Sequence, residues 1–367
     1  MKSFSVETID VDVALFEQTV NEVVTLKVNP QEPRPGYLDP IEMKIVEAYR
    51  AEPTINNATL TPAEQLQLVR DSMGFPNRNL NTIEIHTKFE EVYLEDRVIG
   101  LWRYFPRKTA RQGDAPCLIY FHGGGFIGGS VYTLENPCKL IAELADAVVF
   151  NIDYSLAPEH PFPEGFDDAY YVVHHIAKNA KQYGIDPKKI AVAGDSAGGN
   201  LAAAVSIKDR DEKRHQIAMQ MLIYPVVQLS GESVNGYQWD LASYTMAKEE
   251  EAIIEPMLSL GRPRPNDEIE QTGMHDLYFP DQTMANSPYA SPILADASGL
   301  PKALIVTAEF DGLRLQGEFY ARKLAQAGVS VRALRYKGST HAFFDKLGAV
   351  PQAKDLCEEI SRALLSL

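Results

Sequence analysis

GDSAG, residues 194–198, places Ser196 between two glycines directly after the short apolar run of residues 190–192. An alanine-rich segment with helical character follows it. Glycines on both sides of a serine permit a tight turn and close packing between a strand and the next helix. The pentapeptide therefore predicts a strand, a sharp turn that exposes the serine hydroxyl, and a helix.

HGGGF, residues 122–126, is a second glycine-rich segment that follows an apolar run, residues 117–121. Its backbone N–H groups are not screened by side chains, so successive groups can hold an anion. A serine nucleophile needs such donors, aimed at the negative charge that develops on an attacked carbonyl. We predict that Ser196 is the nucleophile and that His122 is a structural residue of the loop. The predicted oxyanion donors are the backbone N–H groups of Gly124, Gly125 and Ala197, with Gly123 as a further candidate.

The general base is expected to be a histidine beyond the last strand, and His341 is the candidate there. The other histidines lie on expected edge strands, helices or loops, where a structural role is the usual one. Asp311 follows the apolar run of residues 303–310 and precedes His341, so it is predicted to orient the imidazole. Glu309 is its nearest competitor, but strand alternation points that side chain to the opposite side.

Apolar runs alternate with helical segments from residue 82 onward. Six such runs and two edge strands predict an α/β fold with an eight-stranded, mostly parallel, doubly wound sheet. Residues 1–81 contain two capped helical segments and no core strand run, which predicts an amino-terminal helical cap. The catalytic domain is expected over residues 82–367. An overlong connection there predicts an insertion at about 228–290 that contributes to the cap.

The formal net charge of −15 creates a negative surface that repels phosphate backbones and anionic membranes, so no nucleic-acid partner is expected. The three cysteines are widely spaced and form no C-x-x-C pair, so neither a disulfide framework nor a metal site is expected. The first 20 residues contain no apolar run of signal-peptide length, and no stretch is long enough to span a membrane. The expected location is the cytoplasm.

DYSLAPEHPFP, residues 153–163, is similar to a segment of the bacterial hormone-sensitive-lipase family of carboxylesterases, which have the α/β-hydrolase fold. Residues 291–292 and 299–324 resemble that family's segment around the catalytic acid. The resemblance extends over about residues 116–344. It implies an α/β-hydrolase fold, an acyl-enzyme route on short to medium acyl esters, and no metal or cofactor. Members of the family often dimerise through the last strand, so a homodimer is expected.

Two positions depart from the family pattern: Ser155 stands where arginine is usual, and Leu315 where a second aspartate commonly follows the catalytic one. Neither is a member of the predicted triad, so the departures bear on local salt bridges and pocket shape. An apolar acyl pocket is predicted, and plain core packing is the alternative reading of the same aromatic residues. The predicted pocket residues are Phe126, Tyr224 and Phe343.

These residues predict a serine carboxylesterase that acts on a small-molecule ester. The same triad would also serve an amidase, a lactonase or a deacetylase, and the motifs do not separate these activities. A binding protein on this fold is a remote alternative, because plant gibberellin receptors resemble the family but lack the catalytic histidine. The presence of His341 argues against a receptor.

Overall fold

The computed structural model describes residues 17–21, 23–51, 60–108, 113–262 and 274–367, with only the backbone given for residues 17–21. Ten strands within these ranges form one sheet in the order β1-β2-β10-β9-β8-β7-β5-β6-β4-β3. In chain order the strands are β1 (Glu17–Asn21), β2 (Val24–Val28), β3 (Ile85–Tyr93), β4 (Val98–Pro106), β5 (Ala115–Phe121), β6 (Val148–Asp153), β7 (Ile185–Asp195), β8 (Met219–Ile223), β9 (Lys302–Phe310) and β10 (Val331–Thr340).

Helices cover both faces of this sheet. The described helices are α1 (Pro40–Arg50), α2 (Pro62–Ser72), α3 (Glu135–Leu144), α4 (Glu164–Lys178), α5 (Ala180–Tyr183), α6 (Ala197–Asp211), α7 (Glu251–Ile254), α8 (Met274–Tyr278), α9 (Arg314–Gln326) and α10 (Pro351–Leu365). One apolar layer contains buried residues of α4, α6 and α9, and a second contains buried residues of α1, α3 and α10. Strands buried on both faces explain the continuous apolar runs in the sequence.

The central strands run parallel from β2 through β10, β9, β8, β7 and β5 to β6. Strand β4 pairs antiparallel with β6, and β3 pairs antiparallel with β4 at one edge of the sheet. The predicted α/β fold with a mostly parallel, doubly wound sheet is therefore confirmed. All eight predicted strands are present, as β3 to β10.

Strands β1 and β2 were not predicted, and the expectation that no strand precedes residue 80 is wrong. Strand β2 pairs in parallel with β10, some 300 positions away in the chain. It contains Lys27, whose buried ammonium lies 2.8 Å from Asp355 and 3.0 Å from Glu359, both on α10. Lys27 interrupts the apolar run of β2, so residues 24–28 do not have the sequence pattern of a buried strand. The acidic partners that allow this lysine to be buried come from the far end of the chain.

The two predicted amino-terminal helices form as α1 and α2. Asp39 caps α1 by accepting a hydrogen bond from the N–H of Ile41, and Thr61 and Glu64 form a capping box on α2. The N–H of Asp39 also donates to the carbonyl of Gly338, at the end of β10. The first helix is thereby attached to the sheet. The domain boundary at residue 81 stays a prediction.

The connection between β8 and β9 contains only short helical turns within the residues described. Helix α7 is followed directly by a 3-10 turn, Glu255–Ser259, where Pro256 interrupts the α-helical pattern. The passage at residues 263–273 lies outside the described residues. This connection contacts the amino-terminal segment, since the N–H of Leu38 donates to Glu250 at 2.8 Å. None of the described helices is long and apolar enough to cross a lipid bilayer.

Candidate active site

Ser196 lies at the sharp turn between β7 and α6, with a backbone φ of +53° and ψ of −114°. A positive φ is unfavourable for a residue with a side chain, and the flanking glycines allow the turn to close. A Cβ atom at Gly194 would lie 2.2 Å from the carbonyl oxygen of Gly198, and one at Gly198 would lie 1.9 Å from that of Phe121. Both glycines are required by close backbone contacts, so the predicted strand, turn and helix are confirmed here.

The three predicted triad residues form one hydrogen-bonded chain. The Ser196 hydroxyl lies 3.0 Å from His341 Nε2, and His341 Nδ1 lies 2.8 Å from Asp311 Oδ2. The other oxygen of the buried Asp311 accepts the N–H of Leu313 at 2.9 Å, which fixes the carboxylate plane. Glu309, the competitor for the acid, instead accepts the N–H of Gly338. The strands β7, β8, β9 and β10 are consecutive neighbours in the sheet, and this order brings the triad together.

The charge around His341 favours its protonated form. Burial alone would lower the pKa of His341, and the charge and hydrogen bond of the Asp311 carboxylate act in the opposite direction. Asp195 and Asp345 raise the pKa of His341 further through their charges. The net result is a pKa above the usual histidine value. Such an imidazole is a stronger base and holds an accepted proton more firmly.

The glycine loop presents free backbone N–H groups beside Ser196. Among the hydrogen bonds of the described residues, the N–H groups of Gly124, Gly125 and Ala197 have no protein acceptor. The N–H of Gly123, in contrast, donates to Asp195 Oδ1 at 2.9 Å. This geometry favours the three donors predicted first over the further candidate Gly123.

Gly124 holds the loop in a conformation that requires glycine. Its φ is +128°, and a Cβ atom there would lie 2.1 Å from the carbonyl oxygen of Gly128. His122 is buried beneath the loop, where its Nδ1 contacts the carbonyl oxygen of Gly123 at 2.8 Å. Its ring stacks on Tyr154 with centroids 4.5 Å apart, and burial lowers the pKa of His122. These contacts fit the structural role predicted for His122.

A cavity of about 880 Å³ opens onto Ser196. Its walls come mainly from the connection between β8 and β9, with residues at 226–239, 260–262 and 274–285. Phe126 lines this cavity and stacks on Tyr278 of α8, with ring centroids 4.0 Å apart and ring planes 7° apart. The insertion predicted from the sequence therefore forms most of the described wall around the serine.

Tyr224 and Phe343 require a correction, because neither is among the residues that line this cavity. Both are buried in the core, where the ring of Tyr224 lies edge-on to His341 at 4.9 Å and against Phe343 at 5.6 Å. Tyr224 therefore contacts the His341 ring, and Phe343 contacts Tyr224. Tyr224 directly follows β8, and Phe343 lies two residues after His341. In the sequence, both positions are equally compatible with a pocket wall and with core packing.

The two departures from the family pattern have local partners. At Ser155 the backbone N–H donates to Asp168, and the guanidinium of Arg97 lies 2.7 Å from the same carboxylate. Leu315 packs against an apolar cluster that joins the amino-terminal Leu38 to Phe310 at the end of β9. Within the part of the chain that the structure describes, no hydrogen bond joins either position to the triad.

Sequence reasoning missed two buried acidic groups near the triad. Asp195 accepts the N–H of Gly123 and the Tyr120 hydroxyl, and Glu42 of α1 binds Thr340 and Lys346 on either side of His341. Asp195 directly precedes Ser196 in the pentapeptide, so its position in the sequence indicated that it lies near the site. Glu42 carries no such signal, because its partners are about 300 positions away. The described residues contain no cluster of histidine, cysteine and acidic side chains suited to a metal ion.

Comparison with known proteins agrees with this geometry. A family model for the α/β-hydrolase fold matches residues 118–345. The chain is 33% identical over 334 residues to Esterase LipI of Mycobacterium tuberculosis, covering 90% of this chain and 94% of the relative. It is 35% identical over 258 residues to an arylesterase of Saccharolobus solfataricus, covering 70% of this chain and 76% of the relative.

A solved structure of the esterase from Pyrobaculum calidifontis is also similar to the chain. It superposes with a TM-score of 0.69 at 33% sequence identity, covering 90% of this chain and 98% of that one. The range matched by the family model, residues 118–345, includes both glycine motifs and the strands that lead to Asp311 and His341. The predicted resemblance to the hormone-sensitive-lipase family is confirmed, and the chain belongs to the α/β-hydrolase fold family.

Proposed function

We propose that this protein is a serine carboxylesterase that hydrolyses small-molecule esters through an acyl-enzyme intermediate. The observation that carries the proposal is the hydrogen-bonded chain from Ser196 through His341 to Asp311, which meets a cavity of about 880 Å³ at the serine. The similar proteins include an esterase and an arylesterase, which supports the same reaction class.

The reaction begins with attack of the Ser196 hydroxyl on the ester carbonyl, while His341 accepts the hydroxyl proton at Nε2. Asp311 orients the imidazole and stabilises the imidazolium that forms. The tetrahedral oxyanion accepts hydrogen bonds from the N–H groups of Gly124, Gly125 and Ala197. His341 then protonates the leaving alcohol, and the C–O bond of the ester breaks to leave an acyl group on Ser196.

Water completes the cycle. His341 removes a proton from a water molecule, which attacks the acyl-enzyme and forms a second tetrahedral intermediate at the same donors. Its collapse releases the carboxylic acid and returns the proton to Ser196. Every step uses groups of this chain, and the alternation of His341 between base and acid requires a histidine that titrates near neutral pH.

The character of the side chains that line the cavity favours esters of short to medium acyl chains as the substrate class. Its lining combines apolar and aromatic side chains with a smaller number of polar groups. Such a lining holds an uncharged acyl or alcohol group by burial and orients it with few hydrogen bonds. Amides and lactones of similar size fit the same description, so they belong in the substrate panel.

The test is hydrolysis of p-nitrophenyl butyrate by the purified wild-type protein and by Ser196→Ala. We expect the substitution to lower kcat at least about 10³-fold. Ser206→Ala is the matched control, because that buried serine also lies on α6 and its hydroxyl donates to the carbonyl of Ala202 at 2.8 Å, away from the triad. Equal rates for wild type and Ser196→Ala would disprove the nucleophile, and faster turnover of the matching anilide would reassign the enzyme as an amidase.

A further inference from the structure

Strand β3 forms one edge of the sheet, and within the described ranges its outer backbone groups have no hydrogen-bond partner. The strand is nine residues long and pairs with β4 on its inner side. Two of its aromatic residues, Phe89 and Tyr93, are 52% and 68% exposed. A long edge strand with exposed apolar side chains is a surface on which a further strand can pair.

The charged side chains of β3 are unevenly paired within one molecule. Lys88 stands directly opposite Arg103 of β4, so two positive groups face each other across this strand pair. The Arg103 guanidinium lies 2.6 Å from Glu90, which is on the same face of β3 as Lys88. No described carboxylate forms an ion pair with Lys88. Like charges directly opposite each other are unfavourable, so Lys88 lacks a suitable neighbour across the strand.

A second copy of β3 supplies that neighbour. Two copies can pair antiparallel about a twofold axis perpendicular to the sheet, which keeps each face of the sheet continuous and lets the side chains decide the register. When Phe89 stands opposite Phe89 of the second copy, Lys88 stands opposite Glu90 on both sides of the axis. The other opposed pairs are Ile85 with Tyr93, His86 with Val92, and Thr87 with Glu91. This register opposes no like charges.

Sliding the second strand by two residues in either direction removes the match. One shift places Lys88 opposite Lys88, and the other places Glu90 opposite Glu90 and Phe89 opposite Glu91. Both shifts oppose like charges, which destabilises strand pairing. A shift of one residue would oppose side chains from different faces, which the twofold axis does not allow. Charge therefore selects the register centred on Phe89.

We propose that β3 is a dimerisation edge and that it pairs with β3 of a second copy of this chain, in the register centred on Phe89. An aromatic row leads to the axis from Tyr132 through Trp102 to Phe89, with ring centroids 5.4 and 5.2 Å apart, and meets its copy there. The last strand, β10, is already paired with β2 on its outer side. The proposal does not depend on the reaction at Ser196.

The first test is sedimentation velocity of the full chain over a series of concentrations. We expect the wild type to dimerise, and Lys88→Glu to raise the dissociation constant at least about tenfold, because two attractive pairs become repulsive. The exchange variant Lys88→Glu/Glu90→Lys should restore the wild-type constant to within about threefold, because opposite charges face each other again. The carboxylate introduced at position 88 then also lies opposite Arg103.

The second test is disulfide cross-linking through Phe89→Cys. In the proposed register the two copies of this residue are directly opposite, with Cα atoms about 4.5 to 5.5 Å apart, within reach of a disulfide. Thr87→Cys is the matched control, because Thr87 is also exposed but its two copies lie about 14 Å apart. The three native cysteines are buried. Under oxidised glutathione, Phe89→Cys should form the covalent dimer at least about ten times faster.

Several results would overturn the proposal. A wild type that stays monomeric at every concentration would assign Lys88 the opposite role, that of a charge that keeps the edge unpaired. A dimer that Lys88→Glu does not weaken, or that the exchange variant does not restore, would place the contact elsewhere. Equal cross-linking of the two cysteine variants would do the same. Far-UV circular dichroism checks that each variant is folded, and the cross-linking comparison decides alone if the charge variants are not.

Discussion

The ammonium group of Lys346 lies 2.6 Å from the carboxylate of Glu42, and both side chains are almost completely buried. The same Glu42 oxygen accepts the hydroxyl of Thr340 at 2.9 Å. Thr340 and Lys346 flank the loop that carries His341. Helix α1, from the amino-terminal part of the chain, is therefore fastened to both ends of the segment that supplies the base.

Lys346→Met is expected to lower the free energy of unfolding by about 3 to 5 kcal/mol, because it leaves the Glu42 carboxyl buried without its cation. Urea denaturation measures this change. The double variant Glu42→Gln/Lys346→Met should be less destabilised than the sum of the two single variants, because no unpaired charge remains. Additive losses would show that the two groups do not stabilise each other.

Activity should fall as pH decreases through the pKa of His341. Only the neutral imidazole can accept the Ser196 proton, and Asp311, Asp195 and Asp345 raise the pKa of His341 despite its burial. The midpoint of the acidic limb of kcat/KM is therefore expected above the reference histidine value of about 6.5. A profile recorded from pH 4 to 9 with p-nitrophenyl butyrate measures it. Full activity at pH 4 would contradict a histidine base.

Gly124→Ala should reduce kcat/KM about 100-fold or more, because the new methyl group would meet the Gly128 carbonyl at 2.1 Å and displace an oxyanion donor. Gly328→Ala is the matched control. Gly328 has a similarly positive φ of +83°, but no atom lies within 4 Å of the added Cβ, so only backbone strain is introduced. Retention of more than a tenth of wild-type activity by Gly124→Ala would show that the loop does not need its present conformation.

Phe126→Ala should shift acyl preference toward longer chains. The substitution removes one ring of the stack with Tyr278 that lines the cavity beside Ser196, so space opens next to the reacting carbonyl. The measurement is kcat/KM across p-nitrophenyl esters from acetate to decanoate. Tyr132→Ala, which removes a ring that is 55% exposed on the surface, is the control. An unchanged profile for Phe126→Ala would place the acyl group elsewhere in the cavity.

The triad could be predicted because each member follows an apolar strand run. Strand order alone brings Asp311 and His341 to the turn that carries Ser196, and the structure has that order. The candidate donors were identified for a related reason, since glycines are needed where backbone N–H groups must approach an oxygen, and their role stays a prediction. Short motifs and apolar runs of this kind can be recognised in a single sequence.

Features that depend on distant partners could not be predicted. Lys27 is buried in β2 only because Asp355 and Glu359 pair with it, and nothing near Lys27 in the chain indicates this. Tyr224 and Phe343 are aromatic, as a pocket wall often is, yet Tyr224 packs against His341 and Phe343 packs against Tyr224 in the core. In both cases the burial of a side chain is decided by contacts across the fold and not by its neighbours in sequence.

The pairing of β2 with β10 also bears on how copies of this chain can assemble. Because β2 occupies the outer side of β10, the backbone groups of the last strand are satisfied within one molecule. The homodimer expected through that strand could form only if the amino-terminal hairpin swung aside. Loss of β1 and β2 would expose the outer backbone N–H and C=O groups of β10 directly beside His341, and those are the groups that strand pairing with a second copy would use.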